Sequence, residues 1–300
     1  MSDPVSIGID VGGGAVKAVV LGSTGVSSRF IDERKRALVP ELTRLVDRIA
    51  EDHTIEFVGI GIAGLVDHRS GRFIWGPHVP GGPVDVTGAL SDRLVYVDND
   101  ANLAAYGEAT VGAAKGHPVV LTVSVGTGIG SGIVVDGEIQ LGVAFAGEVG
   151  HMKMASDGEP CPCGRSGCWE TLVSGRTLDA EARRLGVGPD AASLVVAADD
   201  GDDRAAASLD EAGRWLGVGI ANLVLAFDPS VVVVAGGVSM AGERILAPAR
   251  EWIASALPGA AHRPVIEVAA SPHGRWSAAV GAAHAARDHF EGPRTNEEGA

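Results

Sequence analysis

The sequence predicts an α/β protein with mixed β-sheets and two domains. Short apolar runs bounded by glycine alternate with longer segments of helical spacing, which is typical of strands and helices built into one layered fold. Some neighbouring apolar runs are separated only by a glycine-rich turn, so these strands form antiparallel hairpins within otherwise parallel sheets. The chain has 300 residues, which is enough for two packed domains.

The elements can be placed in order along the chain. Residues 5–11 and 15–22 are apolar runs joined by a glycine triplet, which predicts a β-hairpin. Residues 38–52 have apolar side chains at helical spacing, and residues 57–62 form another buried strand. The remaining predicted elements are a strand at 94–97, a helix at 101–111, a second hairpin of 119–125 and 132–135, mostly helical chain over 177–227, a strand at 231–237, a helix at 243–257, a strand at 265–269 and a last helix at 275–290.

These elements divide into two expected domains. We expect a small N-terminal α/β domain over residues 1–117 and a larger C-terminal α/β domain over residues 118–290. The last helix, 275–290, is the one element that we expect to pack back on the small domain. Residues 291–300 are polar and predict a flexible tail.

An internal similarity supports two domains of one plan. Residues 7–22 and 122–137 both have the pattern of strand, glycine-rich turn and strand, with glycines at the same spacing in the two turns. If this similarity is structural, each domain offers a glycine hairpin to a common cleft. The alternative is two unrelated glycine hairpins, since short glycine matches arise by chance.

Composition and charge exclude several classes of function. The formal net charge of −14 argues against a nucleic-acid partner, because such binding depends on Lys and Arg side chains at the phosphates. No apolar run approaches the roughly 20 residues of a membrane span. The N-terminus also lacks the basic and apolar segments of a signal peptide. We therefore expect a cytoplasmic protein with no membrane partner.

Both glycine turns are candidate phosphate-binding loops. Residues 10–14 and 126–130 follow strands, where backbone N–H groups without neighbouring Cβ atoms can converge on phosphate oxygens. Neither turn has P-loop spacing, and a strand rather than a helix follows the second turn, unlike a dinucleotide-binding fold. Asp10 can hold Mg²⁺, usually through water, or can hydrogen-bond the turn backbone, and both roles remain open.

A segment of the sequence DNDAN, residues 98–102, lies between a predicted strand and a predicted helix. Asp and Asn are favoured helix N-caps, but a cap needs only one such residue. A carboxylate at this junction, such as Asp100, can instead accept the proton of a sugar hydroxyl that attacks phosphorus. Asn99 can exchange hydrogen bonds with neighbouring hydroxyls. The capping role and the catalytic role therefore both remain open.

All three cysteines lie in one short segment downstream of His151. Cys161, Cys163 and Cys168, together with that imidazole, match the ligand set of a closed tetrahedral Zn²⁺ site. A disulfide framework would spread its cysteines along the chain, so the cluster indicates a metal site in a reducing compartment. Four protein ligands leave no open coordination position, and we therefore expect the zinc to be structural.

Two glutamates flank the predicted metal site. Glu148 lies three residues before His151, and Glu170 lies two residues after Cys168, so bound zinc would bring both carboxylates into one region. Carboxylates recognise sugar hydroxyls through charge-assisted hydrogen bonds. The alternative for each glutamate is a solvated surface charge, which is the usual position of this residue type.

Seven segments, in family order, make the sequence resemble the ROK family of sugar kinases, repressors and open reading frames. The resemblance covers roughly residues 5–290, and its most specific part is the pair GEVGH and CPCGRSGCWE. The segments are DVGG (10–13), GIAGLVD (61–67), NDAN (99–102), SVGTGIGSG (124–132), GEVGH (147–151), CPCGRSGCWE (161–170) and VVVVAGGV (231–238).

The resemblance implies an actin-like ATPase fold, with two ribonuclease-H-like domains around a cleft. It implies a hexose kinase of the glucokinase type that uses ATP, Mg²⁺ and structural Zn²⁺ and forms a homodimer or homotetramer. ROK repressors carry an additional N-terminal helix-turn-helix segment, and we expect no room for one before Val5. By matching positions, the resemblance implies that Asp100 is the catalytic base and that the sugar is contacted by Asn99, Asp100, Glu148, His151 and Glu170. It implies that zinc is bound by His151, Cys161, Cys163 and Cys168. It also implies that the phosphate and Mg²⁺ loops contain Asp10, Gly12, Gly13, Thr127 and Gly128, and that the adenosine side contains Gly236 and Gly237.

Two departures from the family pattern leave the phosphoryl donor and the sugar open. The family's D-x-G-G-T-K becomes DVGGGAVK, so Gly14 replaces a hydroxyl residue and Lys17 comes two positions late, closer to the spacing in polyphosphate glucokinases. The glucokinase pattern P-N-L-P-G-W becomes WGPHVPGG, with His78 for Asn and Gly82 for Trp. The alternatives are an N-acylhexosamine or other hexose kinase, or a sugar-binding sensor without turnover.

Overall fold

The computed structural model describes residues 3–33 and 37–292. Its strands are β1 (Val5–Val11), β2 (Ala15–Gly22), β3 (Gly25–Glu33), β4 (Ile55–Ile62), β5 (Leu65–Asp67), β6 (Arg72–Trp75), β7 (Val84–Asp85), β8 (Leu94–Asn99), β9 (Val119–Val125), β10 (Ile129–Val135), β11 (Glu138–Ile139), β12 (Val231–Ala235) and β13 (Glu267–Ala270). Its α-helices are α1 (Leu38–Ala50), α2 (Val86–Ala89), α3 (Asp100–Val111), α4 (Gly175–Leu185), α5 (Ala191–Asp199), α6 (Asp203–Phe227), α7 (Glu243–Ala256) and α8 (Ser277–Glu291). None of these helices combines the length and the apolar character that crossing a bilayer requires.

Two five-stranded sheets share one strand plan. The first has the order β3-β2-β1-β4-β8, in which β1, β2 and β3 pair antiparallel and β1, β4 and β8 pair parallel. The second sheet has the order β11-β10-β9-β12-β13 with the same alternation of antiparallel and parallel pairs. The predicted α/β fold with mixed sheets is therefore confirmed, and the two glycine hairpins occupy equivalent positions in their sheets.

The chain forms two compact units that differ from the expected division. The first unit runs through Gly107, takes in Leu141–Phe145 and resumes at Ala278. The second unit contains Glu108–Gln140 and Ala146–Ser277. The boundary between these units falls inside α3, whereas the expected domains meet between residues 117 and 118. Residues of α8 from Ala278 onwards lie in the first unit, which contains the small domain on which we expect the last helix to pack. Most of the tail expected at 291–300 lies outside the described residues.

Five strands were not predicted, namely the two-residue β11 and four strands without a long apolar run, β3, β5, β6 and β7. Strand β3, with the sequence GVSSRFIDE, lies at the edge of the first sheet and has no buried residue. Its side chains alternate between half-buried and exposed along most of its length, and polar residues therefore occupy much of it. Strands β5, β6 and β7 form a separate small sheet and are two to four residues long. Such short segments carry little periodic signal.

The two faces of the first sheet are covered in different ways. On one face, the isoleucines of β1 and β4 form a buried cluster with the apolar side of α1. On the other face, Gly8 and Gly59 allow α8 to approach the strands, because a Cβ atom at either position would lie 1.9 Å from a helix carbonyl oxygen. Gly281 on α8 allows an equally close approach to α3, where its Cβ would lie 1.7 Å from the oxygen of Leu103. Glycine at these positions thus sets the spacing of sheet and helices.

The core of the second unit anchors the cysteine segment. Trp169, which directly follows Cys168, is completely buried among the apolar residues between the second sheet and helices α4 to α7. Its indole N–H donates to the oxygen of Trp215 at 2.9 Å, and its ring lies against Gly219 of α6. A buried indole with a satisfied N–H fixes a segment strongly, because both its apolar area and its polar atom are accommodated.

The close approach of α8 predicts a large effect of a small substitution. We expect Gly59→Ala to lower the free energy of unfolding by about 2–3 kcal/mol, because the added methyl group would overlap the backbone of α8. Urea denaturation followed by circular dichroism measures this change. Gly22→Ala on β2 is the matched control, since its Cβ would meet one atom at 3.9 Å. Equal midpoints for the two variants would contradict the tight packing.

Candidate functional site

Strand register aligns polar residues across the first sheet. Asp10 of β1 is paired with Gly61 of β4, and Gly61 is paired with Asp98 of β8. On the other side, Asp10 is paired with Lys17 of β2. Residues paired in this way share a face of the sheet, so one row holds an ammonium group, two carboxylates and a glycine. Asp10 is 5% and Asp98 1% exposed, which is unusual for carboxylates and requires polar partners.

The first glycine turn is organised by an ion pair and by His78. Lys17 Nζ donates to Asp10 Oδ2 at 2.5 Å, so the late lysine meets the carboxylate that ends β1. The amide of Gly12 donates to the oxygen of Ala15 at 3.0 Å and closes the turn. A Cβ atom at Gly13 would lie 2.9 Å from Cβ of His78. The residue that departs from the glucokinase pattern therefore packs directly on the predicted phosphate loop.

Asn99 is the residue of the DNDAN segment that caps α3. Its Oδ1 accepts hydrogen bonds from the amides of Ala101 at 2.8 Å and Asn102 at 3.1 Å, and its Nδ2 donates to the oxygen of Gly64. These are the N-cap interactions that satisfy the first amides of a helix. Asp100 stands in the first turn, half-buried, with Oδ1 3.0 Å from the same Ala101 amide. The cap therefore does not require the Asp100 carboxylate.

Asp98 lies beneath the start of α3 as a buried carboxylate. Its Oδ1 accepts from the Asn99 amide at 2.6 Å and from Asn102 Nδ2 at 3.1 Å. Burial raises the pKa of the Asp98 carboxyl above its usual value, although these hydrogen bonds and the nearby His68 act in the opposite direction. Asp98 thus holds Asn99 and Asn102 in place, and the family resemblance assigned it no role.

In the second unit, three backbone segments meet at the second glycine turn. The amide of Gly126 donates to the oxygen of Gly128 at 2.9 Å, which forms the turn that contains Thr127. The oxygen of Gly126 accepts from the amide of Gly175, the first residue of α4, at 2.7 Å. Gly236 has a φ of 85°, and a Cβ atom there would lie 2.4 Å from the oxygen of Val125. The predicted phosphate turn and the Gly236–Gly237 turn are therefore neighbours.

The four predicted metal ligands converge in the second unit. One ligand atom from each of His151, Cys161, Cys163 and Cys168 lies within 4.8 Å of the others. Cys163 Sγ and Cys168 Sγ are 3.7 Å apart, and Cys161 Sγ is 3.6 Å from His151 Nδ1. Zinc bonds of about 2.3 Å to sulfur and about 2.0 Å to nitrogen at tetrahedral angles give separations of about 3.8 Å and about 3.5 Å. The cluster therefore has the dimensions of a Zn²⁺ site.

Both glutamates lie beside the imidazole of this cluster. Glu148 Oε2 is 3.9 Å from His151 Nε2, and Glu170 Oε1 is 3.8 Å from His151 Nδ1. Burial raises the pKa of the Glu148 carboxyl, and the neighbouring Glu170 acts in the same direction while His151 opposes it. Glu170 is 2% exposed and accepts a hydrogen bond from the Cys161 thiol at 2.9 Å. Neither glutamate is therefore a fully solvated surface charge.

The Cys161 thiol shows how metal and carboxylate depend on each other. Burial raises the pKa of Cys161, and its hydrogen bond to Glu170 raises it further, so the thiol form is favoured without a metal ion. Zinc binds the thiolate, which has no proton to donate. Metal binding would thus remove this hydrogen bond and leave Glu170 Oε1 with acceptor capacity for another hydroxyl.

The predicted residues are distributed over both units. The first unit contains Asp10, Gly12, Gly13, Asn99 and Asp100, and the second contains every other predicted site residue. Sequence reasoning assigned no role to Asp98, to Gly175 or to the segment from Ser271 to Ser277, whose Gly274 oxygen accepts from the Gly236 amide at 3.2 Å. For Asp98, the one signal available in the sequence was its place in DNDAN, where a helix cap needs only one of four Asp and Asn residues.

A family model described as the ROK family matches residues 6–289 of the chain. A glucokinase of Streptomyces coelicolor is 34% identical, and the alignment covers 95% of this chain and 98% of that protein. A xylose repressor of Bacillus subtilis is 29% identical over 95% of this chain, which corresponds to 77% of the repressor. The family thus contains proteins named for two different activities.

A solved structure matches the fold closely. The crystal structure of a ROK family glucokinase from Streptomyces griseus in complex with glucose and AMPPNP has a TM-score of 0.89 and 34% sequence identity. The match covers 95% of this chain and 99% of that chain. The fold is the actin-like ATPase fold of the ROK sugar kinases, as the resemblance implied.

The burial of Asp98 predicts a pH-dependent stability. Because burial raises its pKa in the folded state, the folded protein loses stability as the pH rises from about 3.9, the unfolded value, through the raised folded value. Asp98→Asn keeps an Oδ1 acceptor for the Asn99 and Asn102 donors, replaces the Oδ2 that accepts from the Tyr96 hydroxyl at 3.4 Å by an NH₂ group, and carries no charge. We expect it to be more stable than wild type by about 1 kcal/mol at pH 7, with the gain vanishing near pH 4.

Denaturant unfolding at several pH values measures this difference. Asp92→Asn is the control, because the Asp92 side chain is 75% exposed and the same change of charge should have little effect there. A variant at Asp98 that is less stable than wild type at pH 7 would show that the ionised carboxylate is favoured in the folded state.

Proposed function

We propose, from the premise that the chain belongs to the ROK family, that it is a cytoplasmic hexose kinase that transfers the γ-phosphoryl group of ATP to glucose. The glucokinase relative and the glucokinase structure solved with glucose and AMPPNP support a hexose and a nucleotide as ligands. The product would be glucose 6-phosphate. The negative net charge is consistent with the absence of nucleic acid among the expected partners.

The observation that carries the proposal is that Asn99 and Asp100 have separate roles at the start of α3. Asn99 supplies the helix cap, and Asp100 adds a carboxylate in the first turn that the helix does not need for capping. We assign Asp100 as the general base. It accepts the proton of the attacking hydroxyl, while the sugar oxygen forms a bond to the γ-phosphorus and the bond from that phosphorus to the bridging oxygen breaks, releasing ADP.

The glycine turns supply the surroundings of the phosphates in this proposal. The Gly12 amide closes the first turn by donating to Ala15, the amides of Gly13, Thr127 and Gly128 donate to phosphate oxygens, and Gly236 and Gly237 contact the adenosine part. Asp10 is the residue that would hold Mg²⁺ through water, with Lys17 as its present partner. Bound Mg²⁺ neutralises the charge that the phosphoryl group carries during transfer.

The metal cluster supports the sugar-binding residues. We propose that His151, Cys161, Cys163 and Cys168 hold a structural Zn²⁺ ion and that Asn99, Asp100, Glu148, His151 and Glu170 bind the sugar hydroxyls. The spacing of the four ligand atoms supports the first assignment, and the two carboxylates within 4 Å of His151 support the second. Fixing the imidazole by the metal would fix both carboxylates, which orients acceptors before the sugar binds.

A second candidate function is a sugar-binding sensor without turnover. The xylose repressor relative and the replacement of the family's hydroxyl residue by Gly14 favour this alternative. Other hexoses and N-acylhexosamines also remain candidate substrates, because His78 replaces the usual Asn. Such a sensor would be stabilised by a sugar and would turn over neither ATP nor polyphosphate.

An ADP-release assay over a panel of hexoses tests the kinase assignment. We expect turnover with glucose, and we expect Asp100→Asn to lower kcat by roughly 10²–10⁴, because the amide cannot accept the proton. The cap on Asn99 should keep the variant folded. Asp203→Asn, in the first turn of α6, is the control with the same change of charge and should leave turnover unchanged. Full activity of Asp100→Asn would exclude this residue as the base, and thermal stabilisation by sugar without any turnover would favour the sensor.

Metal analysis tests the proposed zinc site. We expect about one equivalent of zinc per chain, and we expect Cys163→Ser to lose the metal and to bind glucose weakly, because a hydroxyl is a poor zinc ligand. Ser156→Ala, at an exposed position of the same segment, is the control and should retain the metal. Unchanged glucose binding in metal-free, folded Cys163→Ser protein would show that the metal does not position the carboxylates.

A further inference from the structure

A second buried carboxylate lies in the second unit, outside the proposed sugar site. Glu108, near the end of α3, is completely buried. Its Oε1 accepts from the hydroxyl of Ser271 at 2.5 Å and lies 2.8 Å from Oγ of Ser277, while its Oε2 accepts from the amide of Ala113 at 3.1 Å. A buried charge is costly unless it is fully hydrogen-bonded, and these three partners supply that compensation.

The Ser271 hydroxyl is the centre of this network. Its oxygen accepts from the amides of His273 and Gly274, both at 3.0 Å, and it lies 2.6 Å from Oγ of Ser277. Since a hydroxyl has one proton, two accepted amides leave that proton directed at Glu108. The carboxylate therefore fixes the rotation of the hydroxyl, and the hydroxyl fixes the turn that follows it.

The turn held by Ser271 contacts the Gly236–Gly237 turn. Gly274 has a φ of 52°, and its oxygen accepts from the amide of Gly236 at 3.2 Å. The same oxygen lies 3.1 Å from Oγ of Ser277. Gly236 in turn packs against Val125, beside the second glycine turn. A continuous series of hydrogen bonds thus runs from Glu108 to the backbone that we assigned to the adenosine part of the nucleotide.

We propose that Glu108 and Ser271 are positioning residues for the nucleotide. They do not contact it but hold the Gly274 carbonyl, and through it the Gly236 amide, in the orientation that nucleotide binding requires. This inference rests on the proposed function, because the nucleotide role of Gly236 and Gly237 is part of that proposal. It explains why a fully buried carboxylate is placed beneath this turn.

The test compares nucleotide and sugar affinities in folded variants. We expect Ser271→Ala to raise KM for ATP and the Kd for AMPPNP by about tenfold or more, because the turn loses a charge-assisted anchor. KM for glucose should change by less than about twofold, since none of the proposed sugar-binding residues belongs to the hydrogen-bond network. Ser271→Thr keeps the hydroxyl and should recover most of the nucleotide affinity. A merely structural role would lower the melting temperature without raising KM for ATP selectively over KM for glucose.

Two further variants make the result decisive. Ser230→Ala removes a hydroxyl that bonds the oxygen of Val119 at the opposite end of β12, and it should leave the affinity for AMPPNP unchanged. If Ser271→Ala does not fold, Glu108→Gln decides in the same titration, because it removes the charge from the hydrogen bond to Ser271 and leaves one acceptor oxygen in place of two. We expect it to raise the Kd for AMPPNP. Wild-type affinity for AMPPNP in the folded variants would overturn the inference alone. Wild-type protein that does not bind AMPPNP would overturn both this inference and the ATP assignment.

Discussion

Parallel, in-register pairing of β1, β4 and β8 is the constraint on which the arrangement of the first unit depends. It places Asp10 and Asp98 in one row, separated by Gly61 and by roughly 10 Å, which is two strand spacings. A slip of one residue in either pairing would turn one carboxylate to the face covered by α1. The register therefore fixes where the glycine turn after β1 stands relative to the start of α3.

Three of the buried carboxylates, Asp98, Glu108 and Glu170, are hydrogen-bonded in three different ways. Asp98 accepts from neighbours in its own segment, Glu108 from serines far along the chain, and Glu170 from a cysteine thiol that a metal ion would deprotonate. The first two are fixed by hydrogen bonds that need no ligand. Glu170 differs, because its partner Cys161 would change protonation state if the proposed metal site were occupied. Asp98 and Glu108 thus provide fixed support, whereas the hydrogen bonding of Glu170 would depend on a bound ligand.

Sequence reasoning reached the features that are encoded locally. Both glycine hairpins and the clustered cysteines depend on residues that are close in sequence, and periodicity or spacing reveals them. The network of Glu108 with Ser271 and Ser277 was beyond reach, since an acidic residue in α3, a serine before α8 and a serine at the start of α8 carry no common pattern. The division between the two units has no signal of its own in the sequence, because α3 continues without a break from Gly107 to Glu108. Contact between His78 and Gly13 likewise appears only in three dimensions.

The glycine-lined face of the first sheet has a consequence for biosynthesis. The ribosome delivers β1 and β4 early, but α8, which lies against Gly8 and Gly59, emerges only after the second unit. Until then the nascent sheet leaves the part of that face around Gly8 and Gly59 uncovered. Every element that lies wholly within the second unit, by contrast, precedes Ser277. The unit that begins later can therefore finish folding first, so that the order of completion reverses the order of translation.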